Sequence, residues 1–184
     1  QTDIFINRQQ LEQARTTLLD LKKLLINNGK IPIRLAQVEF DLGNIDASLG
    51  YLEDAITLSQ NIRKPEVVLA DWFRRKGNFE ESKKWITTAA ERYPENVSVQ
   101  IDYSRWLLQS EKIPEARKVI GKAEQLGGDA YIVGYLKGQI AFAQRSYEMA
   151  EMHFDVLLKM KPSDADAANM LALSLIESTD PTKH

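Results

Sequence analysis

Residues 43–79 read GNIDASLGYLEDAITLSQNIRKPEVVLADWFRRKGNF, a segment that opens on Gly43-Asn44-Ile45 and closes, 34 residues later, on the matching Gly77-Asn78-Phe79. A fixed period of this length marks a repeated supersecondary unit. With Gly29 as position 1 of a 34-residue frame, the chain divides as one repeat domain over 1–184, with complete repeats at 29–62, 63–96, 97–130 and 131–164 and partial ones at 1–28 and 165–184.

Positions not used to set the frame bear the same period. Position 8 holds Ala36, Ala70, Ser104, Gly138 and Ala172, and position 20 holds Ala14, Ser48, Ser82, Ala116 and Ala150, all small. Position 17 holds Leu11, Ile45, Phe79, Ile113 and Tyr147, and position 24 holds Leu18, Leu52, Ile86, Ile120 and Phe154, all large and apolar. Two antiparallel helices approach closely only where small residues meet, with large apolar residues filling the space around the crossing. Small residues at 8 and 20 therefore mark the crossing of a helical hairpin. Large residues at 17 and 24, seven apart, share one apolar face of its second helix.

Turn chemistry agrees: Gly43-Asn44 and Gly77-Asn78 tolerate positive φ between helices, Pro94 and Pro162 end second helices, and Pro114 sits in a first turn. The spacing predicts helices near 10–26, 31–42, 46–59, 64–76, 80–93, 98–110, 114–126, 132–144, 148–161 and 166–178.

This pattern resembles the tetratricopeptide repeat, best in 63–96 through Leu69, Ala70, Phe73, Gly77, Phe79, Ser82, Ile86, Ala89 and Pro94. The resemblance implies an all-α fold, a right-handed superhelical array of antiparallel helix pairs (an α-solenoid) of about ten helices. Its aromatic at position 4 is replaced by Pro32, Glu66, Gln100, Gly134 and Ala168, its Leu at position 7 by Lys137 in the fourth repeat, and its large residue at position 11 by Glu39 in the first.

Composition narrows the function. With 24 basic and 26 acidic residues the chain has a net charge of −2, without the positive excess that nucleic-acid or anionic-membrane binding draws on. No apolar run is long enough to span a bilayer, so neither nucleic acid nor membrane insertion is expected. The start Gln1-Thr2-Asp3, lacking Met and a signal-peptide core, is expected of a mature or excised piece. Zero Cys removes disulfides and thiolate chemistry and suits either a reducing or an oxidising compartment, which leaves localisation open.

Catalytic candidates are sparse. His153 lies on a second helix and His184 is the last residue, neither with a second ligand at metal spacing. Glu80-Glu81 and Asp164/Asp166 suit helix N-termini, and Gly127-Gly128-Asp129 lacks the context of a phosphate loop. The cluster Arg74-Arg75-Lys76 with Lys83-Lys84 reads as positive charge at a helix C-terminus or as a grip on an acidic segment. Trp72, Trp85 and Trp106, at helical spacing, read as packing residues. No enzymatic activity and no cofactor are expected.

The resemblance implies a concave groove lined by positions 2, 5, 9, 12 and 13 of the first helices. Carried over, it comprises Ile33, Gln37 and Phe40 (with Lys30 and Asp41); Val67, Asp71, Arg74 and Arg75 (with Lys64); Ile101, Arg105 and Leu108 (with Ser98 and Gln109); and Tyr135, Gln139 and Phe142 (with Ile132 and Ala143). An apolar track beside Arg74 and Arg105 suits a peptide or helical segment of a partner protein with apolar anchors and a carboxylate. Ile33 and Gln37 stand where the carboxylate-clamping subgroup has Lys and Asn, so that clamp is not expected. The last first helix, with Leu171, Leu173, Leu175 and Ile176, looks too apolar for a solvent-facing cap, so the expectation is either that the natural protein continues past His184 or that a homodimer forms through the C-terminal helix. A further alternative is the non-catalytic targeting part of a larger enzyme or of a secretion or envelope machine.

Overall fold

The computed structural model describes residues 2–59 and 62–179, with side chains from Asn7 onward. His184 lies outside the described residues. Among them are ten α-helices and no strand: α1 (Thr2–Leu24), α2 (Lys30–Leu42), α3 (Ile45–Leu58), α4 (Pro65–Arg75), α5 (Phe79–Arg92), α6 (Val97–Gln109), α7 (Ile113–Gln125), α8 (Ala130–Ala143), α9 (Tyr147–Met160) and α10 (Ala165–Thr179). Each helix from α2 onward starts and ends within about two residues of the position the period predicts. The exception is α1, which starts well before residue 10. No Gly or Pro interrupts residues 2–24, and the helix stops only where Asn27-Asn28-Gly29 follows.

The chain forms two compact units, 1–85 and 86–184, that divide within α5. In the first, α2 packs on α1 and α3, and α3 touches α4. In the second, α6 pairs with α7, α8 with α9, and α9 with α10.

Each hairpin crosses where the small residues predicted it. Ser48 Oγ donates to the Ala36 carbonyl at 2.7 Å, Ser82 Oγ to that of Ala70 at 2.8 Å, and Ser104 Oγ to that of Ala116 at 3.0 Å. All six residues are buried. A hydroxyl buried at a helix contact needs a partner, and the facing backbone carbonyl supplies one without widening the gap. In the fourth repeat, buried Gly138 faces Phe154, a ring with no exposed surface; a Cβ on Gly138 would lie 2.7 Å from Phe154 Cζ.

The turns share one geometry. Position 15 has positive φ in every complete repeat: Gly43 (88°), Gly77 (75°), Glu111 (59°) and Arg145 (60°). The next residue donates its N–H five residues back, Asn44 to Glu39, Asn78 to Phe73, Lys112 to Leu107 and Ser146 to Ala141, at 2.8 to 2.9 Å. This is the hydrogen-bonded helix ending that a left-handed residue permits. Position 17 differs between repeats. Tyr147 is buried against the Phe142 ring at 5.4 Å, Ile45 and Ile113 are half-buried, and Phe79 is exposed.

Two stability outcomes follow. Gly138→Ala costs about 1–3 kcal/mol in urea unfolding, since it overpacks a closed site. Glu111→Gly and Arg145→Gly each gain about 0.5–1 kcal/mol, the relief of left-handed strain less the added chain entropy of glycine.

Candidate functional site

In unit 1 the expected groove residues are largely engaged with neighbours. Phe40 is 3% exposed, its ring 5.3 Å from Trp72, 4.9 Å from Phe73 and 4.6 Å from Lys76 Nζ. Val67 is 1% exposed. Both are core residues with no surface to offer a ligand, which departs from their expected place in a groove. Gln37 Nε2 donates to Asp41 at 3.2 Å, Asp41 pairs with Lys76 at 2.8 Å, and Asp71 with Arg63 at 2.6 Å. Lys76 is thereby neutralised within the suggested basic cluster. Arg74 is half-buried and Arg75 exposed, both in the last turn of α4, where the helix dipole favours them. Ile33 lines a depression of 590 Å³ with Leu25, Ile26 and Ile62, at the α1–α2 turn.

Unit 2 brings six of the expected residues together. Arg105, Leu108 and Gln109 of α6, Ile132, Tyr135 and Gln139 of α8, and Met170 of α10 line one groove of 560 Å³. Tyr131, Leu136, Asp164 and Asp166 complete it. Ile101 is buried, and Phe142 is half-buried against Tyr147; neither lines the groove. Trp72 and Trp106 are buried, in keeping with their reading as packing residues.

The groove floor is apolar and its lips are charged. Tyr135 packs edge-on against Phe154, ring centroids 5.7 Å apart. Arg105 uses one guanidinium nitrogen on Asp102 at 3.0 Å and keeps other N–H groups for a ligand. Opposite stand Asp166 and Asp164. Asp164 Oδ1 caps α10 by accepting the Ala167 N–H at 2.9 Å, and its Oδ2 accepts the Tyr131 hydroxyl. Lys161 Nζ covers the Tyr131 ring at 3.9 Å. This lock ties the start of α8 to the start of α10. The phenol hydrogen bond, followed by that from Ala167, holds the Asp164 carboxyl below the usual carboxylate range, and the Asp164 bond pushes the Tyr131 phenol up to about 12.

By sequence alone Asp164 and Asp166 are accounted for by the helix dipole. The cap is real, but Tyr131, 33 residues before Asp164, also reaches it; position 1 of one repeat facing the last position of the same repeat was the available signal. His153 lies outside the groove. Burial, then Lys137, lowers its imidazole below the ordinary value, so it is neutral near pH 7. Among the described residues no group of three or more His, Asp or Glu side chains could share a metal ion, and no helix is long and apolar enough to cross a membrane.

The lock has a pH signature. Asp164 has a depressed folded pKa, so its contribution is present above the unfolded value near 4 and is lost as pH falls through the folded one. The raised Tyr131 value means a contribution kept below about 10 and lost as pH rises towards about 12. Tyr131→Phe therefore lowers the melting temperature at pH 7, and the gap from wild type narrows on acidification below pH 4. A gap that is constant from pH 2 to 7 contradicts the lock.

No family model matches the sequence, and no curated protein matches it. Solved structures do. Human IFIT1, as a dimer with m7Gppp-AAAA, superposes with a TM-score of 0.64 at 20% identity, over 95% of this chain and 43% of that one. Cut9, in the APC/C hetero-tetramer Cut9-Hcn1, gives 0.64 at 14% identity, over 95% and 35%. TTC0263, a thermophilic TPR protein of Thermus thermophilus, gives 0.59 at 14% identity, over 95% of both chains. The chain thus spans less than half the length of the first two. At these identities the likeness concerns the fold.

Proposed function

We propose that this chain, which has the tetratricopeptide-repeat fold, is a protein-interaction scaffold that holds a segment of another polypeptide in the groove between α6, α8 and α10. The composition of that groove carries the reading: Leu108, Ile132, Tyr135 and Met170 offer apolar contact, Arg105 stands on one lip, and Asp164 and Asp166 on the other. An apolar side chain of the partner settles among the first four, a carboxylate meets Arg105, and a cation meets the two aspartates. Gln109 and Gln139 supply amides suited to the backbone of a peptide. The Tyr131–Asp164 lock holds one wall in place before binding, which lowers the ordering cost. The work is recognition, with no bond made or broken.

The neighbours support partner binding in different ways. Cut9 was solved in assembly with Hcn1, a protein–protein case. IFIT1 was solved with m7Gppp-AAAA. For this chain two carboxylates in the groove and a net charge of −2 favour a polypeptide over a polyanion.

Random-peptide display selected on the wild-type chain tests the assignment. Leading clones bind at least tenfold more weakly to Arg105→Glu and to Tyr135→Ala, about 1.4 kcal/mol or more, with helicity unchanged. A pool in which every clone binds both variants as tightly as wild type contradicts it.

Self-association through α10 is a second reading, favoured by Leu175 and Ile176, which are 45% and 62% exposed. A dimer in light scattering that becomes a monomer with Leu173→Lys and Ile176→Lys supports it, and a monomeric wild type removes it.

A further inference from the structure

We infer that the outward face of α9 is a second docking surface, fitted to an acidic amphipathic helix of a partner protein. Met149, Met152, Val156 and Met160, spaced by three, four and four residues, form one stripe on this helix, 48%, 61%, 55% and 52% exposed. The stripe is separate from the buried face of α9, which is made by Tyr147, Ala150, Phe154 and Leu157.

The other repeats provide an internal control. Met152 occupies position 22 and Val156 position 26. The corresponding residues are Gly50, Lys84 and Lys118, and Asp54, Thr88 and Lys122. All six are exposed, so these positions face outward and take no part in hairpin packing. Only α9 fills both with large apolar side chains. Four such residues in line have no role in the fold, and methionine suits a contact surface because its unbranched, polarizable side chain adapts to what lies against it.

The stripe covers about three helical turns, the length over which a partner helix presents apolar residues at i, i+3, i+7 and i+11. Charge sets the sign of that helix. Beside the stripe runs a cleft of 400 Å³ lined by Arg117 and Glu124 of α7, Lys137 of α8, and Met149 and His153 of α9. Glu124 is engaged by Lys137 at 2.6 Å. Arg117, Lys118 and Lys122 on α7 are exposed and form no ion pair among the described residues. On α9 itself Asp155 is held by Lys159 at 2.6 Å, and Glu151 accepts the Ser178 hydroxyl. Along the α7 edge an occupant of the stripe meets Arg117, which lines the cleft with Met149, while Lys118 and Lys122 hold on α7 the outward positions that Met152 and Val156 hold on α9; this edge favours carboxylates, with the exposed Glu148 of α9 as the opposing charge.

The test uses a fluorescein-labelled 15-residue helical peptide with leucines at the stripe spacing and glutamates on its flanks, alongside a copy with lysine for every glutamate. By fluorescence anisotropy the acidic peptide binds the wild-type chain at least tenfold more tightly than the basic one. Met152→Ser with Val156→Ser, at exposed positions that leave helicity intact, weakens it at least tenfold. Lys118→Glu with Lys122→Glu reverses the preference between the two peptides, and Arg105→Glu, in the α6/α8/α10 groove, leaves it unchanged. Several results overturn the inference: equal binding of the two peptides, no binding of the acidic one, or loss of binding with Arg105→Glu. So do attachment to phosphatidylserine vesicles in place of the peptide, and a dimer in light scattering that Met152→Ser with Val156→Ser dissolves. The groove reading survives each of these, because its own test measures Arg105→Glu and Tyr135→Ala against selected peptides.

Discussion

The close crossing of the two helices in each hairpin, position 8 against position 20, is the contact on which the rest of the architecture depends. It admits only Ala, Ser or Gly, and in three repeats a serine hydroxyl bonds the carbonyl across it. The serine occurs on the second helix in Ser48 and Ser82 and on the first in Ser104, so the geometry needs one small donor at the crossing and is indifferent to which helix brings it. In the fourth repeat position 8 is glycine, and the Phe154 ring takes the space that a Cβ on Gly138 would need.

The turn geometry is subordinate to that crossing. Once the two helices are held this close, the connection must reverse direction within a few residues, and a left-handed residue at position 15 does so. Gly43 and Gly77 adopt it freely, while Glu111 and Arg145 are held there by the helices on either side. In the second unit the same regularity sets α6, α8 and α10 around one groove and turns the α9 stripe outward, so two chemically different surfaces arise from one repeated hairpin.

Much of this was legible in residue spacing. The small and large positions predicted the crossings and the helix limits because each is a local consequence of hairpin packing. The family resemblance, and not the spacing itself, put Arg105, Leu108, Tyr135 and Gln139 on one concave face, and these four side chains line one depression. Phe40 was not legible, since its burial depends on Trp72 and Phe73 of another helix, and nothing in α2 alone announces them. Val67 and Ile101 were missed for a related reason. They follow Glu66 and Gln100, polar residues at the position where the repeat pattern has an aromatic, and both members of each pair are buried. One face of period 3.6 does not encode a helix buried over so wide an arc. The Tyr131–Asp164 lock joins residues 33 apart and required the spatial pairing of two helices.

The most direct test of the groove is chemical-shift mapping on the isotope-labelled chain, titrated with a peptide selected on it. The largest perturbations are expected on the Arg105, Gln109, Tyr135, Gln139 and Met170 amides, while those of α1 to α3 stay still. Perturbations centred on α1 to α3, with the α6/α8/α10 face unchanged, would contradict it.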